Sequence, residues 1–184
     1  MNRGAVALLT TFLMSALLLS GCADDEAFGG SEAIEDALVG QVFLLPENTD
    51  RLPDFSVLEP LGTLYTTRLN IPRRSFERGF PGISDRFEWF GLRYEGTLRV
   101  RTPGTYTFEL TSDDGSRLYV GPERVVDNDF QHDPLTKTGT VTLAAGEHPL
   151  VLEYFQGPRF EIALQLFVTP PGGAREVFDS TAVY

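Results

Sequence analysis

The side chains best suited to chemistry in this chain are carboxylates. Asp113 and Asp114 are neighbours in Ser112-Asp113-Asp114-Gly115, Asp127-Asn128-Asp129 with Asp133 forms a second acidic group, and Glu153 and Glu161 stand as a third pair. Such pairs can hold a hard cation or divide acid and base work at a scissile bond, and separation in space, not along the chain, decides between these roles. The second group opens like a calcium loop, but an EF-hand starting at Asp127 would need Gly and Glu where His132 and Thr138 stand, so that reading fails. Asp114-Gly115 is by itself a reversal signal, which makes a hairpin turn the plainest reading of the adjacent Asp pair. The only two histidines, His132 and His148, have no recognisable partner. No Gly-x-Ser-x-Gly elbow, His-Glu-x-x-His pair or phosphate-cradling Gly loop with Lys occurs, so nucleophilic, zincin and nucleotide chemistry lack a motif and no enzymatic activity is expected.

The single Cys excludes a disulfide framework and a thiolate zinc cluster. It stands at the end of a leader: Arg3 is the only charge before an apolar run from Ala5 to Leu19, too short for a comfortable membrane span, and the leader closes on Leu19-Ser20-Gly21-Cys22. That ending resembles the bacterial lipobox, which predicts a signal peptide over 1–21 and acylation of Cys22. In lipoproteins an Asp directly after the acylated Cys favours the inner membrane. Ala23 stands there, with Asp24 one later, which leans toward the outer membrane of a bacterial envelope. Lys plus Arg number 15 against 26 Asp plus Glu, a net charge of -11, so a nucleic-acid partner is not expected.

The elements that must position these groups are strands. Residues 22–39 are acidic and Gly-containing and read as a tether, with a helical turn or two over 32–38, leaving 40–184 as the folded domain. Leu98 and Val100 alternate with Arg99 and Arg101, and Tyr106, Phe108 and Leu110 with Thr105, Thr107, Glu109 and Thr111. This is the period of a half-buried strand. Pro103-Gly104 between the two runs reads as the reversal of a hairpin. Further strands are predicted at 118–120, 141–143, 150–154 and 160–168, whereas Pro46, Pro53, Pro60, Pro72 and Pro81 break 46–92 into short pieces. An all-β antiparallel sandwich follows.

Collinear pieces from Phe87 to Gly173 carry a resemblance: Trp89-Phe90-Gly91, Gly104-Thr105-Tyr106-Thr107-Phe108, Ser112-Asp113-Asp114-Gly115-Ser116-Arg117-Leu118-Tyr119-Val120, Val125-Val126-Asp127-Asn128-Asp129 and Gly139-Thr140-Val141-Thr142-Leu143. Together they resemble the protective-antigen-fourteen (PA-fourteen) domain, in its fibro-slime-like branch. The resemblance implies a β-sandwich of jelly-roll type. In adhesins of that family two successive Asp residues joined by a cis peptide hold one calcium, which in turn holds sugar hydroxyls. Asp113 and Asp114 match that pair. Neighbouring side chains of a regular strand point to opposite faces, so such a pair converges only on an irregular backbone. The family's further ligand, an Asn, corresponds here to Gln156, and Gly157-Pro158-Arg159 replaces the loop that meets the sugar.

The expected function is therefore a calcium-dependent carbohydrate-binding module on a lipid anchor, with Asp113, Asp114 and Gln156 around the cofactor. Tyr154 alternates with Leu150 and Leu152 and should face inward, so Phe155 and Arg159 are the residues expected to meet a glycan. The alternative is an envelope module with a structural or protein-interaction role and no sugar site.

Overall fold

The computed structural model describes residues 28–83 and 88–184. Cys22 and the predicted leader lie outside the described residues. The strands among the described residues, all antiparallel in their ladders, are β1 Phe28–Gly30, β2 Leu38–Leu44, β3 Gly62–Thr66, β4 Asn70–Ser75, β5 Phe90–Val100, β6 Gly104–Asp113, β7 Ser116–Val120, β8 Glu123–Asn128, β9 Leu135–Leu143, β10 Gly146–Gln156, β11 Glu161–Thr169 and β12 Glu176–Val177. One sheet runs β1-β3-β2-β5-β10-β7-β8; the other runs β12-β11-β6-β9, with β4 also on β11. Two short 3-10 turns, Phe55–Val57 and Phe76–Arg78, are the helical pieces among the described residues.

Alternation builds the core. Tyr106, Phe108 and Leu110 of β6 and Leu164, Leu166 and Val168 of β11 face Leu92, Tyr94 and Leu98 of β5 and Leu150, Leu152 and Tyr154 of β10, all buried. The opposite faces carry Thr, Arg and Glu, as period-2 patterning requires. Gly40 is needed where β2 passes the Tyr94 ring, since a Cβ there would sit 2.3 Å from a ring carbon.

Two turn expectations are corrected by topology. β5 and β6 are not a hairpin: β5 pairs with β2 and β10, and β6 with β11 and β9. The chain at Pro103-Gly104 therefore arches from one sheet to the other, pinned by the Arg101 and Thr102 amides donating to the Tyr184 carbonyl. Asp113-Asp114-Gly115 likewise joins β6 of one sheet to β7 of the other. A Pro-Gly or Asp-Gly step marks a change of direction, and the same residues serve a ladder turn or a crossing between layers.

The tether is also shorter than the acidic composition of 22–39 implies. Phe28–Gly30 pairs with β3, and Leu38 is fully buried in the core, so the folded unit begins before residue 40. No helix forms over 32–38, where bends and turns lead into β2. Burial of one apolar strand in the sandwich outweighs the weak helical preference of a short acidic segment.

Candidate functional site

At the crossing from β6 to β7 the Asp113-Asp114 peptide bond is cis. Both side chains are almost fully buried. The Asp114 carboxylate accepts from the Gly157 amide at 2.7 Å and from the His132 amide at 3.2 Å. Gly157 is required at its position because a Cβ would lie 2.8 Å from Asp114 Oδ2. The loop carrying His132 is fixed by its ring, whose Nδ1 lies 2.8 Å from the Asp133 carbonyl and whose Nε2 lies 3.0 Å from that of Asn128. Three segments thus meet around a cavity of about 200 Å³ lined by Asp113, Asp114, Gln131, His132, Asp133, Pro158 and Phe160.

The electrostatics are those of an unbalanced carboxylate pair. Burial, then the Asp114 carboxylate, then Glu161 and Asp133 push the Asp113 carboxyl up to about 7, against a Gln156 side-chain hydrogen bond. Burial also pushes Asp114 up, opposed by the Gly157 and His132 amides. Among the described residues no guanidinium or ammonium makes an ion pair with either Asp. Nor does any group of three His, Cys, Asp or Glu side chains gather in metal-holding fashion. Two desolvated carboxylates without an organic cation fit a hard divalent ion, provided that backbone or solvent oxygens complete its shell.

This gives a pH prediction for the metal-free protein. An unfolded Asp titrates near 3.8 and folded Asp113 near 7, so between those values the native state holds a proton that the unfolded state has lost. Stability is then greatest at the acid side of that window and falls as pH rises through about 7. Without metal, Tm is expected to be lower at about pH 8 than at about pH 5.5, and Asp113→Asn should flatten that difference. Thermal melts across the window, with chelator, check it.

Gln156 is buried with its side chain engaged inside the protein. Its Oε1 accepts from the Tyr154 hydroxyl, which also lies 2.6 Å from the Asp113 carbonyl, and its Nε2 donates to the Glu161 carbonyl at 3.1 Å. It stands beside Asp113 as a brace and does not line the cavity.

Phe155 is corrected outright. It is 0% exposed and packs with Phe43, Leu45, Leu52 and Phe55 in a second apolar cluster. Opposite Tyr154 it does point to the outer face, but the loop over 45–61 roofs that face. Arg159 is exposed as expected, 5.4 Å above the Phe76 ring and 3.6 Å from Glu88. The aromatic that reaches the cavity is Phe160, 72% exposed, which the alternation of β11 had absorbed as the first residue of a strand.

The acidic group 127–133 divides between the end of a strand and a loop. Asp127 and Asn128 end β8, Asn128 is buried, and Asp129 accepts from the Leu52 amide at 2.7 Å and from Arg117 at 2.6 Å. Glu153 and Glu161 lie on different sheets and keep different partners, Arg93 and Arg73. They do not form a facing pair.

A two-sheet sandwich with an Asp-Asp crossing between layers defines the class of this domain. The family model for the PA14 domain matches residues 79–182, and the chain belongs to the PA14 domain family. Comparison with curated proteins gives no match. Among solved structures, a PA14 sugar-binding domain from an RTX adhesin superposes with TM-score 0.63 at 21% identity, over 78% of this chain and 95% of that one. The epithelial adhesin 9 A domain from Candida glabrata, in complex with Galβ1-3GlcNAc, gives TM-score 0.53 at 13% identity, over 84% of this chain and 96% of that one. An anti-sigma factor domain-containing protein gives TM-score 0.64 at 22% identity over 80% of this chain, which spans 47% of its length.

Proposed function

We propose that the chain is a non-catalytic, calcium-dependent carbohydrate-binding module, held on a bacterial envelope membrane by acyl groups on Cys22. The observation that carries the binding role is the convergence of the buried Asp113 and Asp114 carboxylates on a small cavity with an exposed Phe160 at its rim. The kinship with sugar-binding PA14 adhesins supports the same reading.

In this reading Asp113 and Asp114 hold the ion, which when bound supplies coordination positions that sugar hydroxyls can take in place of water. The chain's own residues set the geometry. Gly157 and His132 amides aim the Asp114 carboxylate, Gln156 and Tyr154 brace the backbone at Asp113, and Phe160 offers a ring for the apolar face of a pyranose. Arg159, parked over Phe76, bounds the same loop. A single shallow site of this kind binds weakly, and clustering of anchored copies on a membrane raises avidity without new contacts.

Phe160→Ala is expected to lower glycan affinity about tenfold or more, a loss of roughly 1.4 kcal/mol, with calcium affinity unchanged because the ring gives the ion no oxygen. Calorimetric titration of calcium and of a bound glycan into the same variant checks both halves. A variant that keeps wild-type glycan affinity removes Phe160 from the site.

For the anchor, durable attachment needs more than one acyl chain, each buried methylene contributing about 0.8 kcal/mol. Cys22→Ser is expected to move the protein from the membrane to the soluble fraction. An unchanged membrane fraction rejects the anchor and leaves the sugar site untouched.

A further inference from the structure

The outer face of the seven-stranded sheet carries a second built cleft, away from the Asp pair. One register row crosses five strands there: Gln41 of β2, Arg93 of β5, Glu153 of β10, Arg117 of β7 and Asp127 of β8 are successive partners. Tyr119 lies one outward position further along β7, opposite Val151. Gln41, Arg93, Glu153 and Arg117 of this row, with Tyr119, floor a cavity of about 720 Å³ whose wall is the loop over 45–61, with Pro53, Phe55, Leu58 and Pro60 facing in.

The wall is tied to the body at several points. Phe55 packs on Gly91, where a Cβ would meet its ring at 2.6 Å. The Leu52 amide donates to Asp129, and Gln131 donates through its main chain to the Asp50 carbonyl and through its side chain to that of Thr49. Such a pre-formed concavity with a few converging polar groups is what ligand sites have.

Its floor holds polar groups with unspent bonding capacity. The Glu153 side chain is 15% exposed, yet its nearest cation is Arg93 at 3.8 Å, and no described residue donates a hydrogen bond to it. The Tyr119 hydroxyl and the Gln41 amide also make no hydrogen bond to a described residue. Gln41 is exposed and Glu153 and Tyr119 are half-buried, so all three open onto one pre-formed cleft, where a partner that supplies donors and acceptors together can meet them. Charge narrows the class. An anion would meet Glu153 and Asp54, and a cation would meet Arg93 and Arg117. An uncharged ligand with many hydroxyls avoids both penalties, can donate to Glu153 and accept from Tyr119, Gln41 and the guanidinium edges, and can lay its C–H faces against the proline and phenylalanine wall.

We infer that this cleft is a second saccharide-binding site, one that takes a neutral oligosaccharide through Glu153, Tyr119 and Gln41 and needs no metal. It shares no residue with the Asp113 cavity and does not depend on the calcium reading.

The test uses the full chain on an array of neutral plant, microbial and animal oligosaccharides, probed in chelator and again with Asp113→Asn. A set of glycans is expected to keep its signal under both conditions and to lose it at least tenfold in Glu153→Gln. Thermal melts confirm that the variant is folded, and Tyr119→Ala replaces it if it is not. Absence of any chelator-resistant glycan, or a resistant signal that the folded variant retains within twofold, overturns the site. Loss of calcium-dependent binding alone leaves it standing, so the two sites fail separately.

Discussion

Asp113→Asn is expected to weaken calcium binding about a hundredfold while leaving the metal-free protein at least as stable as wild type at neutral pH and above. The two halves follow from one cause. In the folded chain the Asp113 carboxyl is buried beside Asp114 and is pushed up to about 7, so ionising it costs stability that an amide of the same shape does not cost. If calcium binds as proposed, the same charge becomes an asset, because affinity depends on the count of charged ligands. Removing one of two carboxylates should weaken calcium by about two orders of magnitude, roughly 2.7 kcal/mol. The readout is the stabilisation by calcium itself. At about a hundredfold excess over Kd a bound ion stabilises the native state by about 2.7 kcal/mol, which for a chain of this size raises Tm by roughly 5–10 °C. Wild type should show that rise, and Asp113→Asn should show only about 1 °C at the same calcium concentration. Asp114→Asn should behave likewise, since Gly157 and His132 amides aim the carboxylate whose charge it loses.

The second large effect is on stability. Phe155→Ala removes a fully buried ring from the cluster of Phe43, Leu45, Leu52 and Phe55, where the Phe43 and Phe55 ring centroids are 5.0 Å apart. Emptying such a site costs about 3–5 kcal/mol, or on the order of 10 °C in Tm. The damage should be felt first in the loop over 45–61, which that cluster fastens to the sheet, and protease sensitivity there should rise before the sandwich melts. A variant with wild-type Tm and an altered glycan profile would return Phe155 to the ligand-meeting role that the sequence suggests.

That reversal at Phe155 shows where sequence reading holds and where it stops. Alternation along β10 correctly opposes Phe155 to Tyr154, because the pleat dictates it. Whether the outward face is wet depends on a loop a hundred residues earlier in the chain, and no local pattern carries that information. The same limit governs Asp113-Asp114-Gly115. The residues announce a reversal, and only the global pairing of β6 with β11 and β9, and of β7 with β10 and β8, turns it into a crossing between sheets. The Asp pair itself was legible because it is local and lies within a long collinear resemblance. Phe160 was missed since an aromatic next to a strand's first residue looks like strand. Asp129, just past the end of β8, is drawn inward by the Leu52 amide and Arg117, contacts that the acidic run 127–133 does not announce. Acidic composition places Leu38 in a tether because it averages over a segment, whereas burial is decided residue by residue.

Glycan binding is proposed to run through an ion held by Asp113 and Asp114. The most direct measurement is a glycan array of the full chain in calcium and in chelator, with wild type and Asp113→Asn side by side. A set of glycans should be bound by wild type in calcium and lost both in chelator and in the variant. If no glycan depends on calcium and on Asp113 together, the Asp pair is not a sugar-binding centre.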